Sequence, residues 1–259
     1  MTINQQAIEQ LKAAGFQDTL PKAPERAIVD LAAEEKSGKS HFALTGTEPI
    51  IYHSIDVGTE GVVEKFQEAG KEILVKEILY QQGEPQSVYI DMWNTFKQDW
   101  ALGLTAGEGT VVCDTWTEIY ELARLARFGK LEQVQAHHYG PVYAELKKLI
   151  RDIYDTKMSA VLISKMGREY GTTNMEVKGY KDTCFLVQMN LRAHRTAGQD
   201  GKPVYNLVVR DTRLNAKNLT NHILTSNDEV TDPSDASKTI IQDSFDFSYL
   251  LYLAHHWEG

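Results

Sequence analysis

Ala33-Glu34-Glu35-Lys36-Ser37-Gly38-Lys39-Ser40 is the stretch on which the reading of this chain turns. The run Ala27-Ile28-Val29-Asp30-Leu31-Ala32 before it has the make-up of a buried strand, and His41-Phe42-Ala43-Leu44 after it reads as the first turn of a helix. Strand, polar turn and helix in that order make backbone N–H groups converge where an anion is favoured. The turn meets the pattern G-x-x-x-x-G-K-[ST] at every position except the first, where Ala33 stands in for glycine. Lys39 brings a charge for terminal phosphates and Ser40 a hydroxyl for a divalent cation. Ala33, Glu34, Glu35, Lys36, Ser37, Gly38, Lys39, Ser40 and His41 are therefore the candidate nucleotide-binding residues. Glu34 and Glu35 weigh against this, because carboxylates beside a phosphate cost energy unless they point outward. The bland alternative is a lysine-bearing surface turn.

Outward from this turn, strands alternate with helices. Strands are expected at Ile50 to Ile55, Glu72 to Leu79, Thr110 to Asp114 and Met158 to Ile163. Helices are expected from an opening Gly58-Thr59-Glu60-Gly61 through Ala69, and at Gln86 to Leu104, Thr115 to Phe128 with Thr115 as cap, and Pro141 to Tyr154. A short amphipathic helix at residues 3–15 precedes them. The alternation predicts an α/β fold, a three-layer core with a mostly parallel sheet. After Gly167 the texture changes: Thr183 to His194 and Pro203 to Asp211 read as β-rich segments around Gly198-Gln199-Asp200-Gly201, a C-terminal β-hairpin extension. Asn227 to Ser237 reads as a polar loop and Thr239 to Trp257 as a closing helix. The expected division is residues 1–24 as N-terminal helix and linker, 25–170 as core, and 171–259 as hairpin extension and closing helix.

A phosphate-binding enzyme of this kind needs an acid at the end of a neighbouring buried strand to hold a Mg²⁺ shell. Asp114, after Thr110-Val111-Val112-Cys113, is the candidate, with Ser40 as its companion at the metal. Asp91, after Ser87-Val88-Tyr89-Ile90, competes, although a helix cap suits it better. Something must also orient water. Glu60, four residues beyond Asp56 at the end of the second strand, is the first choice, and Glu118 the alternative. Ser164 and Lys165, at the tip of the Met158 to Ile163 strand, are candidate sensors of the terminal phosphate.

The chain has 259 residues, 27 Lys and Arg against 36 Asp and Glu, and a formal charge of −9, which disfavours wholesale adhesion to polyanions. Within that acidic total, Arg192, Arg195, Lys202, Arg210 and Arg213 concentrate in the hairpin, a candidate contact for DNA whose bland reading is a solvated face. The two cysteines, Cys113 and Cys184, fall in apolar runs read as strands and match no zinc spacing. His137-His138 and His255-His256 are adjacent residues that face apart on a helix, so helical surface is favoured over metal. The N-terminus lacks a signal-peptide core and no run approaches a membrane span, so a cytoplasmic location with no membrane contact is expected.

These elements together resemble the RecA-like branch of P-loop ATPases, and within it the phage-encoded AAA/RecA-type nucleotide-binding proteins of single-strand annealing recombination. The resemblance is carried by Ala33 to Ser40, Ile50 to Gly61, Val111 to Trp116 and Val161 to Lys165, and spans about residues 25–170. It implies a RecA-like P-loop core, ATP and Mg²⁺ as ligands, ATP hydrolysis coupled to work on single-stranded DNA, a homo-oligomer, and Glu60 as the acid that activates water. Two other readings share the loop: a nucleotide-binding virion or assembly component with little turnover, and a P-loop nucleotide kinase. No arginine-rich lid of the kind kinases use is evident, since Arg124 and Arg127 lie in a helix.

Overall fold

Why the opening strand is apolar throughout is plain from its position. β1 (Ile28–Ala33) runs parallel between β5 (Ser159–Arg168) and β7 (Met189–Ala197), and every one of its residues is buried. Parallel strands covered on both faces read as continuous hydrophobic runs rather than alternating ones. In the computed structural model the described residues are 5–17, 23–55, 61–130, 134–169, 171–172, 174–198, 201–226, 228–232, 235–242 and 245–258.

The sheet is completed by β2 (Ile50–Ser54), β3 (Ile73–Glu77), β4 (Thr110–Asp114), β6 (Met175–Val177), β8 (Pro203–Thr212) and β9 (Ile223–Thr225). Its nine strands run in the order β3-β2-β4-β5-β1-β7-β8-β9, with β6 on β5. The pairs from β3 through to β7 are parallel, and β7–β8, β8–β9 and β5–β6 are antiparallel. One strand, β5, thus lies between β1, which leads into the turn at residues 34–38, and β4, which ends in Asp114. The three-layer, mostly parallel α/β architecture with a C-terminal hairpin expected from the sequence is present. The hairpin is joined to it directly, since β7 is the neighbour of β1.

One face of the sheet packs α2 (Lys39–Ala43), α3 (Val62–Glu68) and α9 (Phe247–His256) through Phe42, Val63, Phe247 and Leu250. The other packs α4 (Gln86–Leu104), α5 (Trp116–Phe128) and α6 (Gly140–Tyr154) through Trp93, Phe96, Trp100, Ile119 and Leu146. Thr115 caps α5 as expected, accepting from the Glu118 N–H at 3.3 Å. α1 (Gln5–Ala13) leaves Ile8 and Leu11 of its apolar stripe exposed.

Several expectations are corrected. β5 continues past Ile163 to Arg168, because its last residues pair with β6. Thr183–Leu186 is a helical turn, α7, fixed by the Trp116 indole N–H donating to the Thr183 hydroxyl at 3.0 Å. This puts Cys184 on a partly exposed turn, while Cys113 is buried in β4, and both thiols are free. The stretch read as polar loop and the start of the closing helix is instead a ribbon of β10 (Asp228–Asp232) and β11 (Asp235–Gln242). The β-branched Thr239-Ile240-Ile241 suits a strand. The closing helix begins only at Phe247, where the Asp246 carboxylate accepts from the Tyr249 N–H at 2.8 Å. Asp91 lies inside α4, which starts at Gln86, and is neither strand end nor cap. The remaining short helix, α8 (Ala216–Leu219), follows β8.

Candidate nucleotide site

Between β1 and α2 the backbone turns sharply, with Lys36 at φ 55° and Gly38 at φ 84°. Gly38 is required twice over: left-handed φ disfavours any side chain, and a Cβ there would lie 3.2 Å from both Tyr205 and Phe245 ring carbons. The Ser37 hydroxyl closes the turn by donating to the Glu34 carbonyl at 2.7 Å. Lys39 curls back over it, its Nζ donating to the same carbonyl at 2.9 Å.

The next residue reaches across the sheet. Ser40 Oγ donates to Asp114 Oδ2 at 2.6 Å, and the Tyr52 hydroxyl, on β2, donates to the same oxygen at 2.5 Å. Asp114 is almost wholly buried at the tip of β4, and burial together with this carboxylate pushes the Tyr52 phenol well up, which keeps it a donor. Residues 74 positions apart, each picked out by its own local pattern as a metal-holding group, are therefore in contact.

Ala33, Glu35 through His41, Asp114 and Lys165 line one cleft of about 910 Å³. Gly61 and Lys65 border it on the α3 side, and Pro203, Tyr205, Ser226 and Phe245 on the other. Tyr205 and Phe245 set their rings 6.0 Å apart, making an aromatic wall over Gly38. Glu60 and Asp56 lie outside the described residues. Among the described residues no group of three or more His, Cys, Asp and Glu is close enough to hold a metal unaided. A hydroxyl and a carboxylate are hard oxygen donors, the set that suits Mg²⁺ sharing its shell with substrate phosphates and water.

No protein-family model and no curated protein matches the chain. Among solved structures, a crystal structure of the RadB recombinase is similar over 88% of this chain and 94% of its own, at 13% identity and a TM-score of 0.48. An ATPase from the type III secretion system of pathogenic bacteria is similar over 65% of this chain and 52% of its own, at 13% identity and a TM-score of 0.47. The chemistry of the cleft is carried by this chain's own residues.

The structure separates the two candidate sensors. Lys165 faces the nucleotide cleft and pairs with Glu118 at 2.7 Å. Ser164, one residue earlier on the same strand, points to the other face, where its hydroxyl donates to Asp30 at 2.7 Å. Asp30 is 1% exposed, and burial raises its carboxyl pKa against the opposing pull of Ser164 and of Arg192 at 3.9 Å.

Arg192 belongs to a second cleft of about 1080 Å³, lined also by Arg195, Arg210, Arg213, His194 and Phe185. Lys202 is not part of that lining. Glu34 lines this cleft and not the nucleotide cleft, whereas Glu35 and Ser37 border both. The turn of residues 34–38 is thus the wall between the two, and Glu34 sits on the arginine side. No motif in the sequence singles out Tyr52, Tyr205, Phe245 or Phe185 as site residues. His137 and His138 are exposed, and His255 and His256 engage the Arg26 carbonyl and Glu25. Among the described residues, no helix is long and apolar enough to cross a membrane.

Proposed function

We propose that this chain is a Mg²⁺-dependent ATPase of the RecA-like type that acts on single-stranded DNA as a homo-oligomer in phage-type recombination or replication. The observation that carries the reading is the 2.6 Å contact between Ser40 and Asp114 inside the cleft that Lys39 borders. Lys39 exchanges its bond to the Glu34 carbonyl for the β- and γ-phosphates, whose charge it offsets. Ser40 and Asp114 hold the cation, which when bound neutralises charge building up on the phosphate oxygens. Glu60 orients water for attack on the γ-phosphorus as the bond to the β–γ bridging oxygen breaks, and its neighbour Gly61 borders the cleft. Lys165 meets the γ-phosphate. The half-buried Tyr205 ring at the cleft's edge, backed by Phe245, offers an apolar face for the nucleobase.

The arginine cleft supports the nucleic-acid half of this reading. Four guanidiniums face one groove, and Phe185 at its rim, 71% exposed, offers a base a stacking surface. ATP hydrolysis by the wild type and by Lys39→Ala tests the proposal: turnover in the wild type and its disappearance in the variant are expected. Equal turnover in both rejects it. Binding without turnover selects the inactive nucleotide-binding alternative, and phosphate transfer to a nucleoside monophosphate selects the kinase.

A further inference from the structure

Lys165 is held unusually firmly for a residue expected to meet a ligand. Its ammonium donates to Glu118 Oε1 at 2.7 Å, and the other oxygen of that carboxylate accepts from the Tyr80 hydroxyl at 2.8 Å. The backbone is tied to the same place: the Lys165 N–H donates to Thr117 Oγ1 at 2.9 Å, and the Thr117 hydroxyl donates to the Lys178 carbonyl at 3.1 Å. Thr117 and Glu118 are in the first turn of α5, which starts just after Asp114. Tyr80 comes from the segment after edge strand β3 and packs edge-on against Tyr89, their ring centres 6.2 Å apart. Lys165 borders the nucleotide cleft and Glu118 stands behind it, outside the lining. Burial and the Glu118 carboxylate push the Tyr80 phenol up, so it stays a donor.

We propose that Glu118 and Tyr80 form a latch that holds Lys165 when no γ-phosphate is present, so that the site distinguishes triphosphate from diphosphate by drawing Lys165 from carboxylate to phosphate. This rests on the ATP reading of the cleft. A γ-phosphate must compete with Glu118 for the one ammonium, and it brings negative charge towards that carboxylate, which opposes binding. A diphosphate makes neither demand. After hydrolysis and loss of phosphate, Lys165 has a partner to return to, which favours release. Glu118 and Tyr80 are positioning residues that act through Lys165.

Affinities for Mg-ATPγS and Mg-ADP, measured by titration calorimetry on the full chain, test the latch. Glu118→Gln keeps the shape of the side chain but removes the competing charge. It is expected to tighten ATPγS binding by about fivefold, the scale of a half-exposed ion pair, with ADP affinity unchanged. Tyr80→Phe, a milder change, is expected to move ATPγS affinity the same way by about twofold. In a Lys165→Ala background Tyr80→Phe is expected to leave the ratio of the two affinities unchanged, and Glu118→Gln to move it less than in the wild type, by the direct repulsion alone. A Glu118→Gln protein that binds both nucleotides more weakly, or shows the wild-type ratio, overturns the latch, as does an unchanged ratio in Tyr80→Phe should the first variant not fold. A wild type that binds neither nucleotide overturns the ATP reading itself, and the latch with it.

Discussion

The two clefts share a wall and are built on opposite plans. The nucleotide cleft draws its parts from distant segments: Lys39 and Ser40 after β1, Asp114 from β4, Lys165 from β5, with Tyr52 of β2 locking Asp114. Each of its polar groups has a protein partner: Ser40 bonds Asp114, Lys39 the Glu34 carbonyl and Lys165 the Glu118 carboxylate. In the arginine cleft, by contrast, the cations come from two adjacent segments, β7 with β8 and its flank, and Arg195, Arg210 and Arg213 are exposed. Among the described residues only Arg192 reaches a buried carboxylate, and only at 3.9 Å. Groups placed at strand ends of the central sheet suit chemistry that depends on placement to a fraction of an ångström. Repeated cations on a hairpin face suit recognition that depends on charge alone.

The sharpest way to break the comparison is to remove the acid that only one cleft needs. Asp114→Asn can still receive hydrogen bonds from Ser40 and Tyr52 but forfeits the charge for the cation. Steady-state ATP turnover is expected to fall by about 10²–10³-fold, with oligonucleotide affinity in the absence of nucleotide unchanged. A matching drop in both properties means that the clefts are not separable.

Acid sharpens the contrast from another direction. His53, beside Tyr52 on β2, is buried against Phe96 and Trp100 with neither ring nitrogen hydrogen-bonded among the described residues, and burial lowers its pKa to about 4. The unfolded chain therefore binds more protons than the folded one between pH 6.5 and about 4, so stability is present above pH 6.5 and is lost as the pH falls through this window. The shift corresponds to about 3 kcal/mol as an upper bound. Urea unfolding of the wild type and of His53→Phe at pH 7 and pH 4.5 is expected to show a smaller acid loss in the variant. An identical loss in both removes His53 from the account.

The smallest expected effects lie in that second cleft. Arg192→Ala with Arg195→Ala is expected to weaken single-stranded oligonucleotide binding by about tenfold, and to lower the salt slope by about one per lost phosphate contact. The KM for ATP should stay within about twofold of wild type. A variant that binds the oligonucleotide normally across salt concentrations shows that this groove serves another ligand.

Much of this arrangement is legible in the sequence because the central strands are unbroken apolar runs and the phosphate turn comes directly after the first of them. Ser40 and Asp114 are each recognisable from local context, one from the loop pattern and the other from its place after an apolar strand. Tyr52 is not, because its hydroxyl meets Asp114 only through the parallel register of β2 on β4, which pairs Ser54 with Asp114. Ser164 and Lys165 share one role when read from the sequence, yet neighbours on a strand point to opposite faces, and the structure puts only Lys165 at the cleft. Thr183-Cys184-Phe185-Leu186 reads as a strand, since nothing local reveals the hydrogen bond from Trp116 that folds it into a turn. Glu34 and Glu35 look costly for a phosphate site. Glu34 lies on the arginine side of the turn, a placement that residue types alone do not convey.

The most direct test is a crystal structure of the chain with ATPγS and Mg²⁺. The account predicts the triphosphate in the turn formed by residues 34–38, Lys39 Nζ moved from the Glu34 carbonyl to phosphate oxygens, and the cation between Ser40 and Asp114. Nucleotide bound elsewhere, or a turn that keeps Lys39 on the Glu34 carbonyl with Ser40 still on Asp114, contradicts it.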